Sequence, residues 1–184
     1  VMRAKRRGTS VGVLIVDLDR FRAVNESLGD QAGDALLLAL SKHLRGQLHE
    51  LDVVARLGAD QFAVILEDKT SVEIAAAAEN LRSSLARSFP IGNQSVYVSA
   101  SIGISCYPQD GASAADLISS ASAAVHAAKE QGRNRCSYYS ADLHAMAVET
   151  FTLQNDLRSA LERNEFFMNY QPRADIASGR ITAV

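Results

Sequence analysis

The chain alternates between short apolar runs and longer amphipathic stretches. Residues 11–16 form a β-branched apolar run, whose length favours a buried strand over a helix. Two further apolar runs, 53–57 and 62–66, flank a turn that contains Gly58, and this spacing predicts a β-hairpin. From Asp34 onward the leucines recur at steps of three and four residues, which predicts an amphipathic helix. The leucines of this stripe are Leu36, Leu37, Leu40, Leu44, Leu48 and Leu51.

The second half of the chain continues the alternation. Its pattern predicts a helix over 71–88 that Ser71 caps, a strand over 95–105, a helix over 113–132 that starts at Ser113, and a last short strand over 136–139. Strands and helices alternate, but the hairpin interrupts them. The expected fold class is therefore α+β, an α/β sandwich with a mixed central sheet flanked by helices, and an all-parallel sheet is disfavoured.

The last part of the chain has a different organisation. Residues 142–163 carry a helical pattern again, and 166–170 have the pattern of a new strand. A helix that follows a completed α/β unit is typical of a connector between domains. We therefore expect a first domain over 1–139, a C-terminal connector helix over 140–163, and the start of a second, truncated domain over 164–184.

Composition narrows the range of partners. A net charge of −2 and an isoelectric point near 6.1 give no general attraction to nucleic acid or to anionic membranes. No apolar run approaches the roughly 18 residues of a membrane span. Cys106 and Cys136 lack a redox spacing, which favours reduced packing residues, although one disulfide stays open. We expect a cytoplasmic domain, which as a fragment is also compatible with a membrane-anchored sensor.

Three carboxylates are candidates for metal chemistry. Asp17 and Asp19 close the first predicted strand, and Asp60 lies in the hairpin turn. Carboxylates that meet at one point can hold a hard divalent cation such as Mg²⁺. The alternative is that Asp17 simply ends a strand and Asp19 caps the next helix. The two carboxylates alone leave both interpretations open.

The order of several short motifs adds a family resemblance. The motifs are Asp17-Leu18-Asp19-Arg20-Phe21-Arg22 with Asn25, Gly33-Asp34, Gly58-Ala59-Asp60-Gln61-Phe62, Ala100-Ser101-Ile102-Gly103-Ile104, and Lys129 to Asn134. This succession, over residues 10–139, resembles the GGDEF family, the diguanylate cyclases of bacterial signalling. The resemblance implies a nucleotide-cyclase fold with a sheet like that of the polymerase palm. It also implies an antiparallel homodimer that joins two GTP molecules into cyclic di-GMP with release of pyrophosphate, assisted by Mg²⁺ or Mn²⁺.

The resemblance assigns a role to each matching residue. It implies a metal held by Asp17, Asp60 and the Leu18 carbonyl, and catalytic positions at Asp60 and Gln61. It also implies contacts with GTP from eight residues. They are Phe21 and Arg22 at the phosphates, Asn25 and Asp34 at the guanine, Gly58 and Ala59 in the turn, and Lys129 and Arg133 at the triphosphate. The alternative for Lys129 and Arg133 is that their charges only complement the dipole at a helix end.

Two departures from the family bear on activity. Ala59 replaces a glycine, so its Cβ is expected to press on the nucleotide or to strain the turn. Gln61 replaces a glutamate and removes one negative charge from a cation site. We therefore expect a degenerate GGDEF domain that binds GTP and Mg²⁺ and regulates a downstream domain. An active diguanylate cyclase and a nucleotide-free structural or dimerisation module are the alternatives.

The tail resembles a second family. The runs Asp156-Leu157-Arg158-Ser159-Ala160-Leu161-Glu162 and Tyr170-Gln171-Pro172 resemble the N-terminal start of an EAL domain, a cyclic di-GMP phosphodiesterase. This resemblance implies that Gln171 contacts the ligand, and that cyclic di-GMP is a partner through the EAL domain.

Overall fold

The chain consists of two units, Val1–Glu149 and Thr150–Val184, each described by itself. The computed structural model describes residues 1–139 and, beyond them, residues 152–153, 156–157, 159–160, 163, 165–169, 172–175 and 180–183. Within these residues, no helix combines the length and the apolar character that crossing a bilayer requires.

The first unit contains the elements of the predicted sandwich. Its helices are α1 (Met2–Arg7), α2 (Phe21–Leu28), α3 (Asp30–Gln47), α4 (Ser71–Leu85) and α5 (Ala114–Glu130). Its strands are β1 (Val11–Leu18), β2 (Val53–Arg56), β3 (Gln61–Glu67), β4 (Arg87–Ile91), β5 (Gln94–Val98), β6 (Ala100–Tyr107) and β7 (Cys136–Tyr138). A five-stranded sheet has the order β2-β3-β1-β6-β7, and β4 pairs with β5 in a separate hairpin.

The sheet confirms the predicted fold class. Neighbouring strands run antiparallel except β6 and β7, which run parallel, so the sheet is mixed. The predicted hairpin is the antiparallel pair of β2 and β3. Cys106 and Cys136 are free thiols.

Strand β1 lies at the centre of the sheet, and all eight of its residues are buried. Successive side chains of a strand point to opposite faces. Accordingly, Leu14 and Val16 pack with Leu36 and Leu40 of α3, while Val13 and Ile15 pack in a second cluster with Leu117, Ala121 and Val125 of α5. A strand that is covered by helices on both faces has to be apolar throughout, which explains the uninterrupted run in the sequence.

Hydrogen-bonded caps set the starts of two helices. The hydroxyl of Ser113 accepts from the Asp116 N–H, and the Asp116 carboxylate accepts from the Ser113 N–H, so the predicted start of α5 at Ser113 is confirmed. Helix α4 begins with the same reciprocal arrangement between Thr70 and Glu73. The cap of α4 is therefore Thr70, one residue before the Ser71 that the sequence indicated.

The predicted strand over 95–105 is two strands. The chain bends at Ser99, whose carbonyl accepts a 2.9 Å hydrogen bond from the Asp19 N–H, and only β6 continues in the main sheet. Helix α4 ends at Leu85, short of the predicted Ser88, because the following residues form β4. Pro90 lies in β4 itself, in a two-stranded hairpin where one missing donor is tolerated.

Helix α2 is missing from the sequence-based prediction. The segment Phe21-Arg22, for which no helix was predicted, forms the first turn of α2, and α3 begins at Asp30 instead of Asp34. Phe21 is 5% exposed and belongs to the core, so its burial fixes the start of this short helix. A helix of only eight residues presents too few turns for its periodicity to stand out.

The second unit contains the paired strands β8 (Arg173–Ala174) and β9 (Ile181–Ala183). Residues 152–153, 156–157 and 159–160 are helical. A strand was predicted over 166–170, and this prediction is wrong for residues 166–169, which lie in no strand. The described strands of this unit, β8 and β9, pair with each other. Tyr170, Gln171 and residues 140–151 lie outside the described residues, so the connector helix stays a prediction.

The packing of α5 on the sheet gives a test of the fold. A Cβ added at Gly103 of β6 would lie 2.0 Å from the carbonyl oxygen of Ala121. We expect Gly103→Ala to lower the free energy of unfolding by about 3 kcal/mol, because backbone cannot move aside as a side chain can. Gly46→Ala is the matched control, since a Cβ there meets nothing within 4 Å. Urea unfolding measures both, and equal stabilities of the two variants would contradict this packing.

Candidate functional site

Asp17 of β1 is a buried carboxylate with two partners. The Nε2 of Gln61 donates a 2.6 Å hydrogen bond to its Oδ2 atom, and the ammonium of Lys129 forms an ion pair with its Oδ1 atom. Gln61 begins β3 directly opposite Asp17, so the sheet register brings these two side chains together. Lys129 reaches them from the last turn of α5. In this structure the ammonium of Lys129 thus contacts a protein carboxylate, and its predicted contact with the triphosphate stays a prediction.

Asp60 is the second carboxylate of this cluster. Its carbonyl accepts a 3.1 Å hydrogen bond from the Leu18 N–H, which fixes the turn against the end of β1. Burial and then the charge of Asp17 raise the pKa of Asp60, and the charge of Lys129 partly offsets them. The charges of Asp17 and Lys129 thus both act on the Asp60 carboxyl, in opposite directions.

Asp19 has a different role from Asp17. Its Oδ1 atom accepts from the Ser101 hydroxyl at 2.7 Å, and its Oδ2 atom accepts from the Ser99 hydroxyl at 2.7 Å and the Asn134 N–H at 3.0 Å. It does not cap α2, whose N-cap residue Arg20 makes no side-chain cap bond. Both carboxylate oxygens of Asp19 accept hydrogen bonds from the protein, so Asp19 stabilises the fold around the site.

The turn between α5 and β7 carries Arg133. Gly132, Arg133 and Asn134 all have positive φ angles, of 112°, 65° and 47°. Arg133 is exposed, and together with Arg20 it lines a groove of about 550 Å³ between α2, β5 and this turn. The structure thus places Arg133 beside the end of α5 with its guanidinium accessible to an anion.

The first turn of α2 presents backbone donors. The initial N–H groups of a helix have no acceptor within the helix, and Phe21 and Arg22 are the first two residues of α2. The Phe21 side chain lies in the core, so only its backbone is available to a ligand. The Arg22 side chain is exposed and forms a 2.7 Å ion pair with Glu26.

Asn25 and Asp34 come together where α2 packs on α3. A Cβ at Gly33 would lie 1.9 Å from the Oδ1 atom of Asn25, so α3 needs a glycine at this contact. That Oδ1 atom is buried and accepts no hydrogen bond from the protein. Asp34 is the next residue of α3 and is exposed. Asn25 thus has an acceptor that no donor of the fold reaches, and the Asp34 carboxylate that follows Gly33 is accessible to a ligand with N–H groups.

The turn before β3 is braced by Arg56. Its guanidinium donates 2.9 Å hydrogen bonds to the carbonyls of Gly58 and Ala59, which are both exposed. Ala59 is not among the residues with a positive φ angle, so the strain expected in this turn is absent. The replacement of glycine leaves the backbone of the turn unstrained.

The donor set is compatible with a metal that is completed by a ligand. Among the described residues, no three Asp, Glu, His or Cys side chains converge on one point. Asp17 and Asp60 supply two carboxylates, and Mg²⁺ is commonly held by one or two carboxylates plus phosphate oxygens. The partners of Asp19, namely Ser99 and Ser101, were missed from the sequence, where only the need of a buried carboxylate for donors could have indicated them.

Comparisons with known proteins identify the family. Residues 1–135 match "Diguanylate cyclase, GGDEF domain". The bifunctional diguanylate cyclase/cyclic di-GMP phosphodiesterase MucR of Pseudomonas aeruginosa is 36% identical over the whole chain, and the phosphodiesterase NbdA of that organism is 32% identical over 95% of it. The chain spans only 27% and 22% of these two relatives.

A solved structure agrees with this match. The crystal structure of the GGDEF domain of YfiN, also named TpbB, from Pseudomonas aeruginosa superposes with a TM-score of 0.73 at 34% identity, over 74% of this chain and 86% of that one. The five-stranded mixed sheet, the braced turn before β3 and the carboxylate pair at the end of β1 therefore belong to a GGDEF domain, and the chain is a member of the GGDEF family of diguanylate cyclase domains.

Proposed function

We propose that this domain binds GTP with Mg²⁺ or Mn²⁺ and regulates a downstream EAL phosphodiesterase in cyclic di-GMP signalling. The observation that carries the proposal is the cluster of Asp17, Asp60 and Lys129. Two carboxylates against one ammonium leave a net negative site at the end of a buried strand, which a divalent cation would neutralise better than a single ammonium does.

Metal and nucleotide would bind together at this cluster. Asp17 and Asp60, with the Leu18 carbonyl, would hold the cation, which would supply charge stabilisation at the phosphates. If Asp17 held the cation, the ammonium of Lys129 would no longer have to pair with Asp17. Lys129, Arg133 and the first N–H groups of α2 would then all face anionic oxygens.

The guanine contact has its own support. The unpaired Oδ1 atom of Asn25 is a buried acceptor, and a buried unpaired amide costs about 1–3 kcal/mol. A guanine edge would supply donors to Asn25 and to the adjacent Asp34. This would explain why the α2–α3 contact contains an unsatisfied group.

Gln61 favours a regulatory role over rapid catalysis. Its amide donates to Asp17 at 2.6 Å, where a glutamate would place a second charge against the same carboxylate. The substitution therefore satisfies Asp17 without a metal and removes negative charge from the cation site. Both effects weaken metal binding and the catalysis that depends on it.

The regulated partner would be an EAL domain that begins in the tail. Two relatives along nearly the whole chain are a bifunctional cyclase/phosphodiesterase and a phosphodiesterase. Phe166, Phe167 and Met168 are 57%, 80% and 77% exposed, an apolar run of the kind that further chain usually covers. In this setting Gln171 would contact cyclic di-GMP.

An active diguanylate cyclase is the second candidate. The ordinary φ angle of Ala59 favours it, because the turn keeps its backbone conformation without glycine. Catalysis would then require a homodimer, since each protomer would hold one GTP. A nucleotide-free module is disfavoured by the ion pair of the buried Asp17 with Lys129, because a buried ion pair is by itself a poor source of stability.

Titration calorimetry tests nucleotide binding. We expect the domain to bind GTP in the presence of Mg²⁺, and Asp17→Asn to reduce the affinity by roughly a hundredfold, since one of the two carboxylates that would hold the cation is lost. Asp68→Asn is the control, because Asp68 follows the opposite end of β3 and pairs with Arg7. Absence of GTP binding by the unsubstituted domain would leave only the structural module.

Substitutions at positions 61 and 59 separate the effect of the charge at position 61 from the effect of the side chain at position 59. We expect Gln61→Glu to raise the affinity for Mg²⁺ in the presence of GTP by roughly tenfold, because a third carboxylate joins the site. Ala59→Gly should leave this affinity unchanged, because the turn is unstrained. Metal titration followed by chromatography of the products distinguishes binding from turnover. Rapid cyclic di-GMP synthesis by the unsubstituted protein would contradict the regulatory proposal.

Regulation is measured on the full-length protein. We expect GTP with Mg²⁺ to change the rate of cyclic di-GMP hydrolysis, and Asp17→Asn to abolish this response while leaving the basal rate unchanged. GMP serves as the control nucleotide because it lacks the two terminal phosphates. A hydrolysis rate that is indifferent to GTP would show that the domain does not regulate this activity.

A further inference from the structure

A polar cluster outside the carboxylate site links α4 to the turn that carries Arg133. On α4, the Arg82 guanidinium donates to the Glu79 carboxylate from Nε at 3.0 and 2.9 Å and from Nη2 at 2.5 Å. Burial alone would raise the pKa of Glu79, but the hydrogen bonds and charge of Arg82 outweigh it and lower that pKa. The pair is only 20% and 31% exposed, so Arg82 has a fixed direction.

The remaining nitrogen of Arg82 reaches across the fold to Asn134. Its Nη1 atom donates to the Asn134 carbonyl at 3.3 Å and to the Oδ1 atom of that residue at 2.9 Å. On its other side, the Asn134 N–H donates to Asp19 at 3.0 Å. Asn134 is thus held from α4 and from the end of β1 at once.

These bonds hold a turn that is unfavourable by itself. Arg133 and Asn134 are consecutive non-glycine residues at φ angles of 65° and 47°, and each such residue costs of order 1–3 kcal/mol. Such conformations persist where surrounding contacts over-determine them. The hydrogen bonds that reach this turn from the Arg82 and Asp19 side chains are made to Asn134, and Arg133 is the residue directly before it.

We propose that Arg82 is a positioning residue that holds Arg133 in the direction of the GTP phosphates, through Asn134. Arg82 itself does not touch the nucleotide. Its loss lets the turn relax from the left-handed conformation, and the Arg133 guanidinium then moves away from the phosphate site. The inference rests on the proposed binding of GTP, and the experiment below separates the two.

A double-mutant cycle tests this role. We expect Arg82→Ala and Arg133→Ala each to weaken the binding of GTP with Mg²⁺ by about tenfold. The double variant should be no weaker than Arg133→Ala alone, because Arg82 acts only through Arg133. Binding of guanosine, which has no phosphate, should stay unchanged in all three. A purely structural defect would weaken both ligands and would add to the effect of Arg133→Ala.

Two further variants keep the test independent of folding. Arg82→Lys retains the charge beside Glu79 but cannot make the same set of bonds, so GTP binding should weaken as in Arg82→Ala. Arg45→Ala is the matched control, because its guanidinium bonds the Asp52 carbonyl at 2.6 Å, away from the turn. Additive losses in the cycle, or full GTP affinity in Arg82→Lys, would overturn the proposal.

A spectroscopic measurement distinguishes failure of the positioning role from failure of GTP binding. The amide signals of Arg133 and Asn134 in nuclear magnetic resonance spectra should shift in Arg82→Lys and not in Arg45→Ala, with no nucleotide present. Unchanged signals would overturn the positioning role even where GTP binds. Shifted signals in a domain that binds no GTP would refute the proposed function and retain the link between Arg82 and the turn.

Discussion

The buried carboxylate of Asp19 is the constraint on which the site depends. A carboxylate at 7% exposure has to be paired or richly hydrogen-bonded, and Asp19 obtains its donors from Ser99, Ser101 and Asn134. Ser99 lies in the bend between β5 and β6, Ser101 is the second residue of β6, and Asn134 lies in the turn after α5. The hydrogen bonds of one carboxylate therefore hold the bend, the start of β6 and the turn after α5 at the end of β1. Asp17 lies at the same strand end, two residues before Asp19.

The two carboxylates of the Asp17-Leu18-Asp19 motif have different roles, because Asp19 stabilises the fold and Asp17 is the one available to a ligand. Asp19 has all of its acceptor needs met inside the protein, so it has little to offer a ligand. Asp17 is held by Lys129 and Gln61, two partners that a cation could replace or compete with. Gln61 thus donates a hydrogen bond to Asp17, which an ionised glutamate at this position could not do.

The elements that could be predicted from sequence are those with a repeated pattern. The buried run of β1, the β2–β3 hairpin and the stripes of α3 and α5 all repeat over enough residues to be recognised. The bend at Ser99 could not, because the alternation continues through it and the bend depends on Asp19, 80 residues away in sequence. Likewise, the motifs indicated Asp17 and Lys129 separately. They come into contact only because α5 packs on the sheet with its last turn beside the end of β1.

Strand β2 forms one edge of the sheet, with Val53 at 45% exposure and one side of its backbone unpaired by any described strand. An open edge of this kind is a template on which another chain can add a strand. The strand is only four residues long and ends in Arg56, whose guanidinium is tied back to the turn. The residue that braces the turn also places a charge at this edge, and a charge on a short edge strand disfavours pairing with another chain.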